Sequence, residues 1–158
     1  MFKDKVTKQN NAAYYFIDRH LNSTIENKKA FVEAIPDGRS ISYKDLSIET
    51  NKIIELLAKY NIRREERVLM LVLDQIEFPV IFWGCLKAGV IPVPVNTLLS
   101  KDIVNSILND CRAKTIFISE EIQNLIPNPS EIDNPIENIF LISKDNNIKE
   151  FKHFKSEM

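Results

Sequence analysis

From Ser42 to Ser143 the sequence alternates between helical and strand-like patterns of apolar residues, and no other feature restricts the possible fold as much. The predicted order over this region is a helix followed by a strand, repeated to the end. Strands that alternate with helices form a parallel sheet, because right-handed crossovers place the helices on both of its faces. The sequence therefore predicts a three-layer α/β fold, in which a mostly parallel sheet lies between flanking helices.

The predicted strands differ in how we expect them to pair. The run "ERVLMLVLD" (66–74) is apolar without interruption between charged ends, which is typical of a central parallel strand covered on both faces. The following strand, "VIPV" (90–93), contains Pro92, and Pro94 follows two residues later. Proline has no N–H to donate, and these two positions point to the same lateral edge. We therefore expect this strand to pair on its other side alone.

Residues beyond the carboxyl ends of parallel strands are candidates for ligand binding, because ligands of open parallel sheets gather at that edge. Asn96 and Thr97 follow the proline-containing strand and are therefore candidate cofactor-contacting residues. The alternative interpretation of 96–99 is a plain structural turn. Asp74 and Glu77 also follow a strand, and their spacing fits a helix N-cap with a glutamate at N3. A pair of catalytic carboxylates is the alternative interpretation of those two residues.

The segment before the alternating region predicts a small separate element. Two short strand patterns flank the turn at 36–38 and predict an N-terminal β-hairpin. Ser42 is predicted to cap the next helix, and Asn61 to end it in a left-handed conformation. We interpret residues 1–143 as one domain segment and the polar residues 144–158 as a frayed tail.

The predicted helix over 75–89 is apolar on nearly every side, and such a helix is normally buried on more than one side. The other predicted helices are ordinary amphipathic ones, so the chain offers no obvious cover for the outer side. We expect a further layer, encoded outside these residues, to cover it, and the alternative is that the local sheet buries both sides. The expected contact residues are Phe78, Ile81, Phe82, Trp83 and Leu86.

Composition and motifs exclude several functions. The 21 basic and 22 acidic residues give a net charge of −1, without the basic excess of a nucleic-acid binder. No stretch reaches the length of a membrane span, and Cys85 and Cys111 are typical of reduced thiols, so we expect a cytoplasmic protein without membrane partners. The three glycines form no phosphate-binding motif, and His20 and His153 lie near opposite ends. We therefore predict no catalytic residue and no metal site.

Two segments resemble core motifs of a known enzyme family. "SISYKDL" (40–46) and "LKAGVIPVPVN" (86–96) are similar to the first two core motifs of the adenylate-forming acyl- and aryl-CoA synthetases. The longer stretch "DQIEFPVIFWGCLKAGVIPVPVNTLLS" (74–100) resembles the benzoate–CoA ligase branch of that family. The resemblance implies that the chain is an incomplete part of the large N-terminal domain of the adenylate-forming enzyme fold.

The resemblance also implies a reaction. Enzymes of this family use Mg-ATP to convert a carboxylic acid into an acyl-adenylate and then into an acyl-CoA, with release of diphosphate and AMP. Their phosphate loop, ribose-binding aspartate and catalytic lysine have no counterpart in this sequence. We therefore expect an N-terminal fragment of a benzoate–CoA ligase-like enzyme that is inactive alone and binds none of ATP, Mg and CoA.

Two other functions stay open on the sequence alone. The chain is alternatively a non-catalytic partner module, which docks through the apolar face of residues 78–86 onto the remainder of a ligase or onto a second copy of itself. A freestanding flavodoxin-like domain for a small ligand is a further alternative. The absence of a phosphate-binding loop from the sequence disfavours that last function.

Overall fold

A computed structural model describes residues 11–133, 135–143 and 152–158, and the structural statements below concern these residues. Short 3₁₀ turns interrupt the connections between the regular elements. The order from α2 to β5 is the alternation that the sequence predicts, but 3₁₀ turns replace the predicted α-helix between β5 and β6. In chain order the elements are α1 (Ala12–Phe16), β1 (Lys29–Val32), β2 (Ser40–Ser42), α2 (Tyr43–Lys59), β3 (Arg67–Leu71), α3 (Glu77–Ala88), β4 (Ile91–Pro94), α4 (Lys101–Cys111), β5 (Thr115–Ser119), β6 (Asn138–Ile142), β7 (Lys152–His153) and α5 (Phe154–Glu157).

The main sheet has five strands in the order β4-β3-β5-β6-β7, and every neighbouring pair is parallel. From β3 the chain crosses through α3 to the edge strand β4, and it then returns through α4 past β3 to β5. β1 and β2 pair antiparallel in a separate hairpin. The predicted α/β class, with a parallel sheet and an N-terminal hairpin, is therefore confirmed.

The side chains of β3 alternate between two apolar cores, one on each face of the sheet. Val68 and Met70 pack with residues of α2 and α3, whereas Leu69 and Leu71 pack with residues of α4 such as Leu108. All of these side chains are buried. The strand is apolar without interruption because neither of its faces meets water.

β4 is an edge strand whose prolines point away from its neighbour. The Ile91 N–H donates to the carbonyl oxygen of Glu66, the residue before β3, at 2.9 Å, and the Val95 N–H donates to that of Met70 in β3 at 3.0 Å. Pro92 and Pro94 occupy the alternate positions, on the side where β4 has no partner strand among the described residues. The predicted one-sided pairing is confirmed. The absence of N–H groups at the two prolines removes no hydrogen bond between β4 and β3.

Three residues at helix ends adopt the conformations expected from their chemistry. Ser42 Oγ accepts the N–H of Asp45 at 3.1 Å and so caps the start of α2. Asn61 (φ 55°) follows α2 and Gly89 (φ 76°) follows α3, each in the left-handed conformation that ends a helix. The helix boundaries on this side of the sheet are therefore set by local sequence.

The short helix α1 covers part of the outer side of α3. The Phe16 ring packs against that of Trp83 with centroids 5.5 Å apart, and Asn11 Nδ2 donates to the Leu86 carbonyl oxygen at 2.8 Å. The expectation that the chain offers no cover is therefore wrong for this part of the helix. It failed because α1 is only five residues long, and its role depends on where the fold places it.

The apolar residues of α3 divide between the core and the outer side. Ile81 is fully buried in the core, so its prediction as an outer contact residue is wrong. The residues of the outer side are half-buried, and they are Phe78, Phe82, Trp83 and Leu86. No helix in the part of the chain that the structure describes has both the length and the apolar character needed to cross a bilayer.

Residues 152–158 form β7 and α5 rather than a frayed tail. Phe154 is buried, and its ring packs edge-on against that of Phe117 with centroids 5.8 Å apart. The Glu157 carboxylate accepts hydrogen bonds from side chains at the end of α2. One buried aromatic side chain anchors this otherwise polar segment, and the rest of the predicted tail, 144–151, lies outside the described residues.

Candidate functional site

The direction of winding reverses between β3 and β5, and the crevice at the carboxyl ends of such a strand pair is where open parallel sheets bind ligands. The loop 72–76, which connects β3 to α3, lies on one side of this crevice, and Ser119 lies on the other at the end of β5. We call this loop together with Ser119 the switch-point site. Asn96 and Thr97 follow β4 at the same edge, one strand further out.

Ser119 ties the two sides of the crevice together. Its Oγ accepts hydrogen bonds from the Leu73 N–H at 3.1 Å and from Gln75 Nε2 at 2.9 Å. Ser119 is fully buried, so both donors are satisfied away from water. Sequence reasoning missed Ser119 and Gln75, and the only signal for Ser119 was a polar residue at the end of an apolar strand.

Removing the Ser119 hydroxyl is expected to loosen this site. We expect Ser119→Ala to lower the free energy of unfolding by about 1–2 kcal/mol, because two donors lose their buried acceptor. Urea unfolding measures this loss, and amide hydrogen exchange at Leu73 should become faster. Ser106→Ala, at an exposed position of α4, is the control and should change the stability by less than about 0.5 kcal/mol. Equal effects of the two substitutions would contradict the role of Ser119.

Asn96 and Thr97 lie where the chain leaves β4. Asn96 Oδ1 accepts the N–H of Leu98 at 2.9 Å, and the Asn96 carbonyl oxygen accepts the N–H of Leu99 at 3.3 Å. A local side-chain acceptor of this kind is the usual way in which asparagine forms a turn. Asn96 is exposed and Thr97 is half-buried. The structural turn accounts for Asn96, and contact of either residue with a cofactor stays a prediction.

An ion-pair cluster joins the hairpin to the switch-point site. Arg39 donates to both carboxylate oxygens of Glu77 at 2.7 Å, and Arg39 Nε donates to Glu33 Oε1 at 3.0 Å. Glu33 Oε1 also accepts the N–H of Ile76 at 3.0 Å. The Glu33 and Glu77 side chains are only 8% and 9% exposed. The hairpin therefore holds the end of the loop 72–76 through charge-assisted bonds.

Arg39 controls the ionisation of both carboxyl groups. Its hydrogen bonds lower the pKa of Glu33 to about 2, against the opposing effect of burial. Burial raises the pKa of Glu77, but the hydrogen bonds and charge of Arg39 outweigh burial and hold this pKa below its usual value. The hydrogen bonds that Arg39 donates to the two carboxylates in turn raise the pKa of Arg39. All three groups are therefore charged at neutral pH.

The predicted N-cap at Asp74 is wrong. α3 begins at Glu77, and its N-cap residue is Ile76, which makes no side-chain cap. The Glu33 carboxylate replaces the expected local cap, because it accepts the Ile76 N–H from across the fold. Glu77 is bound to Arg39 and Asp74 is exposed, so a catalytic pair of these carboxylates gains no support.

The remaining reactive side chains are dispersed. Burial raises the pKa of the Cys85 thiol to about 12, which leaves it protonated and unreactive at neutral pH. His20 packs against Tyr43 with ring centroids 4.6 Å apart, and His153 lies in β7. In the described ranges, no three acidic, histidine or cysteine side chains are grouped so as to hold a metal ion. At the carboxyl edge of the sheet, the described polar side chains therefore hold the loop 72–76 in place through hydrogen bonds and ion pairs.

The sequence matches one family model and several curated enzymes. The model described as "AMP-binding enzyme" matches residues 17–157. The chain is 34% identical over 116 residues to a 4-hydroxybenzoate–CoA/benzoate–CoA ligase of Rhodopseudomonas palustris, and 32% identical over 119 residues to a benzoate–CoA ligase of Thauera aromatica. These matches cover 73% and 75% of the chain but only 21% and 22% of the two relatives, so it spans about a fifth of their length.

Solved structures of related ligases contain the same fold. The anthranilate CoA ligase AuaEII in complex with anthranoyl-AMP superposes with a TM-score of 0.74 at 32% identity, over 82% of this chain and 24% of that one. A benzoate CoA ligase from Burkholderia xenovorans LB400 gives 0.73 at 26% identity, over 84% and 26%. The resemblance inferred from the segments 40–46 and 86–96 is confirmed.

Proposed function

Because the chain belongs to the AMP-binding enzyme family, we propose that it forms the amino-terminal part of the large domain of an acid–CoA ligase of the benzoate–CoA ligase type. In that reaction a carboxylate oxygen attacks the α-phosphorus of Mg-bound ATP and displaces diphosphate. The CoA thiolate then attacks the acyl carbon of the adenylate, and AMP leaves. The family match over residues 17–157 is the observation that carries this proposal.

The proposed contribution of these residues is scaffold rather than reacting groups. The Arg39 ion pairs and the Ser119 hydrogen bonds hold the loop 72–76 at the edge where ligands of such sheets bind. The chain has three glycines and no phosphate-loop motif, and Gly84 and Gly89 already serve a helix contact and a helix end. We propose that ATP, Mg and CoA bind to groups supplied from outside this segment, which forms part of the floor beneath them.

The 158-residue chain is expected to catalyse no benzoate-dependent exchange of diphosphate into ATP, because it has no phosphate-binding loop. Incorporation of labelled diphosphate into ATP measures this, with the Thauera aromatica ligase as the positive control. The blank is the same reaction without benzoate. Exchange with benzoate that exceeds this blank would contradict the proposed scaffold role.

A chimera tests the family function in the positive direction. Residues 17–157 replace the matching segment of the Thauera aromatica ligase, and the folded chimera should retain benzoate-dependent exchange. The same chimera with Arg39→Met should lose activity, because the loop 72–76 loses its brace. A folded chimera without any exchange would overturn the proposal.

A second candidate function is partner docking, and exposed aromatic rings beside α3 favour it. Tyr15 and Phe16 are 51% and 53% exposed; the Phe16 ring packs against Trp83, and the Tyr15 ring packs against Phe16. Phe31, itself exposed on β1, lines a groove together with Phe78. Monomeric proteins rarely expose large contiguous apolar patches. We propose that this face, at the outer side of α3, contacts the remainder of a ligase or a second copy of the chain.

Dye binding and sedimentation test the docking face. The chain should bind a hydrophobic dye, and Phe16→Gln should reduce the dye fluorescence because it removes an exposed ring from the face. Leu98→Gln is the control, since Leu98 is 90% exposed but lies in the turn after β4. A monodisperse monomer that binds no dye at any concentration would argue against docking.

A further inference from the structure

A groove at the amino-terminal edge of the sheet, opposite the switch-point site, is lined by three cationic side chains. It lies where α1, α2 and the end of α3 meet, and its volume is about 670 Å³. Arg19, Arg64 and Lys87 line this amino-edge groove, and Asp18 is the one carboxylate among its lining residues. The lining therefore carries an excess of two positive charges.

Lys87 and Asp18 neutralise each other at the base of the groove. The Lys87 side chain is 7% exposed, and its Nζ lies 2.7 Å from Asp18 Oδ1 and 3.1 Å from Asn51 Oδ1. Ser47 Oγ also donates to Asp18 Oδ1 at 2.7 Å. The buried Lys87 ammonium group is therefore matched by the Asp18 carboxylate, which is 26% exposed. The net charge of the groove therefore comes from the two arginines.

Arg19 and Arg64 are exposed, and each contacts a neighbouring residue that is not a carboxylate. The Arg19 guanidinium lies over the Tyr15 ring, 3.7 Å from its centroid. Arg64 lies against Gly89 so closely that a Cβ there would be 3.1 Å from Arg64 Nε. Across the described ranges, neither arginine forms an ion pair with a carboxylate. Both guanidinium groups therefore keep hydrogen-bond donors available to a ligand in the groove.

We propose that the amino-edge groove binds a small molecule through a phosphate or diphosphate group. Guanidinium groups match the geometry of such oxyanions with paired hydrogen bonds, and a dianion would balance the excess of two positive charges. Tyr14 and Asn22 belong to the same lining and add possible hydrogen-bond donors. The groove lies near the starts of β3 and β4, so this proposal does not depend on the proposed ligase reaction.

Calorimetric titration of the 158-residue chain with inorganic diphosphate at low ionic strength tests this proposal. We expect one diphosphate to bind per chain. Arg19→Gln and Arg64→Gln should each weaken the affinity by about tenfold or more, which is the loss of one charge-assisted contact, and the double variant should show no binding. Arg63→Gln is the control, because it removes the same charge from an exposed neighbour that does not line the groove.

Three other outcomes of the titrations would contradict this proposal. Absence of binding would overturn the proposal, as would an equal loss of affinity in Arg63→Gln and Arg64→Gln, since general attraction by a basic surface would then suffice. Acetate is the competing anion, and binding of acetate as tight as that of diphosphate would overturn the assignment to a phosphate group. Circular dichroism of each variant ensures that affinities are compared between folded chains.

Discussion

Arg39→Met is expected to lower the free energy of unfolding by about 1–3 kcal/mol at neutral pH, because two carboxylates lose their charge-assisted hydrogen bonds, while the 49% exposed Arg39 side chain means that water screens part of the interaction. The side chains of Glu33 and Glu77 are 8% and 9% exposed, so the substitution leaves two carboxylates buried without their cation. Urea unfolding measures the loss. Arg63→Met removes the same charge at an exposed position and should change the stability by less than about 0.5 kcal/mol.

The same variant is expected to reverse the response of stability to acid. In the parent chain, Glu33, with a pKa of about 2, and Glu77 both have pKa values below those of the unfolded chain. Their contribution is complete above the unfolded value, about 4.3, and is lost as the pH falls toward the folded pKa. The parent should therefore lose stability below about pH 4.5.

In Arg39→Met, protonation instead relieves two buried charges, so acidification from neutral pH should stabilise the variant relative to the parent. Urea unfolding of both chains at a series of pH values compares them. Parallel loss of stability on acidification in parent and variant would show that the carboxylates do not depend on Arg39.

Much of the fold is predictable because it is encoded over short distances along the chain. The apolar run of β3 predicts that both faces of this strand are buried, and Pro92 and Pro94 predict that β4 is an edge strand. Neither prediction needs information about residues far away in the sequence. Ser42 and Asn61 set the ends of α2 through their own side-chain and backbone chemistry. Each of these features depends on positions within a few residues.

The candidate site is less predictable because its contacts join distant segments. Gln75 and Ser119 are 44 residues apart, and Arg39 and Glu77 are 38 apart. The spacing of Asp74 and Glu77 predicts a local cap, but a carboxylate from the hairpin takes that role in the fold. Phe154 likewise lies in a mostly polar segment, where the few apolar residues form no periodic pattern that predicts burial. Such pairings arise only when the sheet brings its loops together.

Gly84→Ala is expected to destabilise the chain although alanine favours helix. In a helix interior, replacing glycine with alanine by itself stabilises by about 1 kcal/mol. Gly84, however, lies where α3 crosses α2, and an added Cβ would be 2.4–2.9 Å from Cβ, Cγ2 and Cγ1 of Ile53. Ile53 is fully buried and β-branched, so it has little freedom to move aside. We expect the steric clash with Ile53 to outweigh the gain in helix propensity, so that the free energy of unfolding falls by about 3 kcal/mol.

Two further variants identify the contact responsible for the effect of Gly84→Ala. Gly89→Ala, where φ is 76°, should cost only about 1 kcal/mol, because its penalty is mainly conformational and the atoms nearest the new methyl group belong to the flexible side chain of Arg64. Ile53→Ala alone should cost about 2–5 kcal/mol through the cavity it leaves. The double variant Gly84→Ala/Ile53→Ala should lose less than the sum of the single losses, because Cγ1 and Cγ2 no longer collide with the new methyl group and only the contact with the Cβ of residue 53 remains. Strictly additive losses would show that Cγ1 and Cγ2 of Ile53 do not carry the strain, and a gain in stability from Gly84→Ala would mean that the two helices separate without cost.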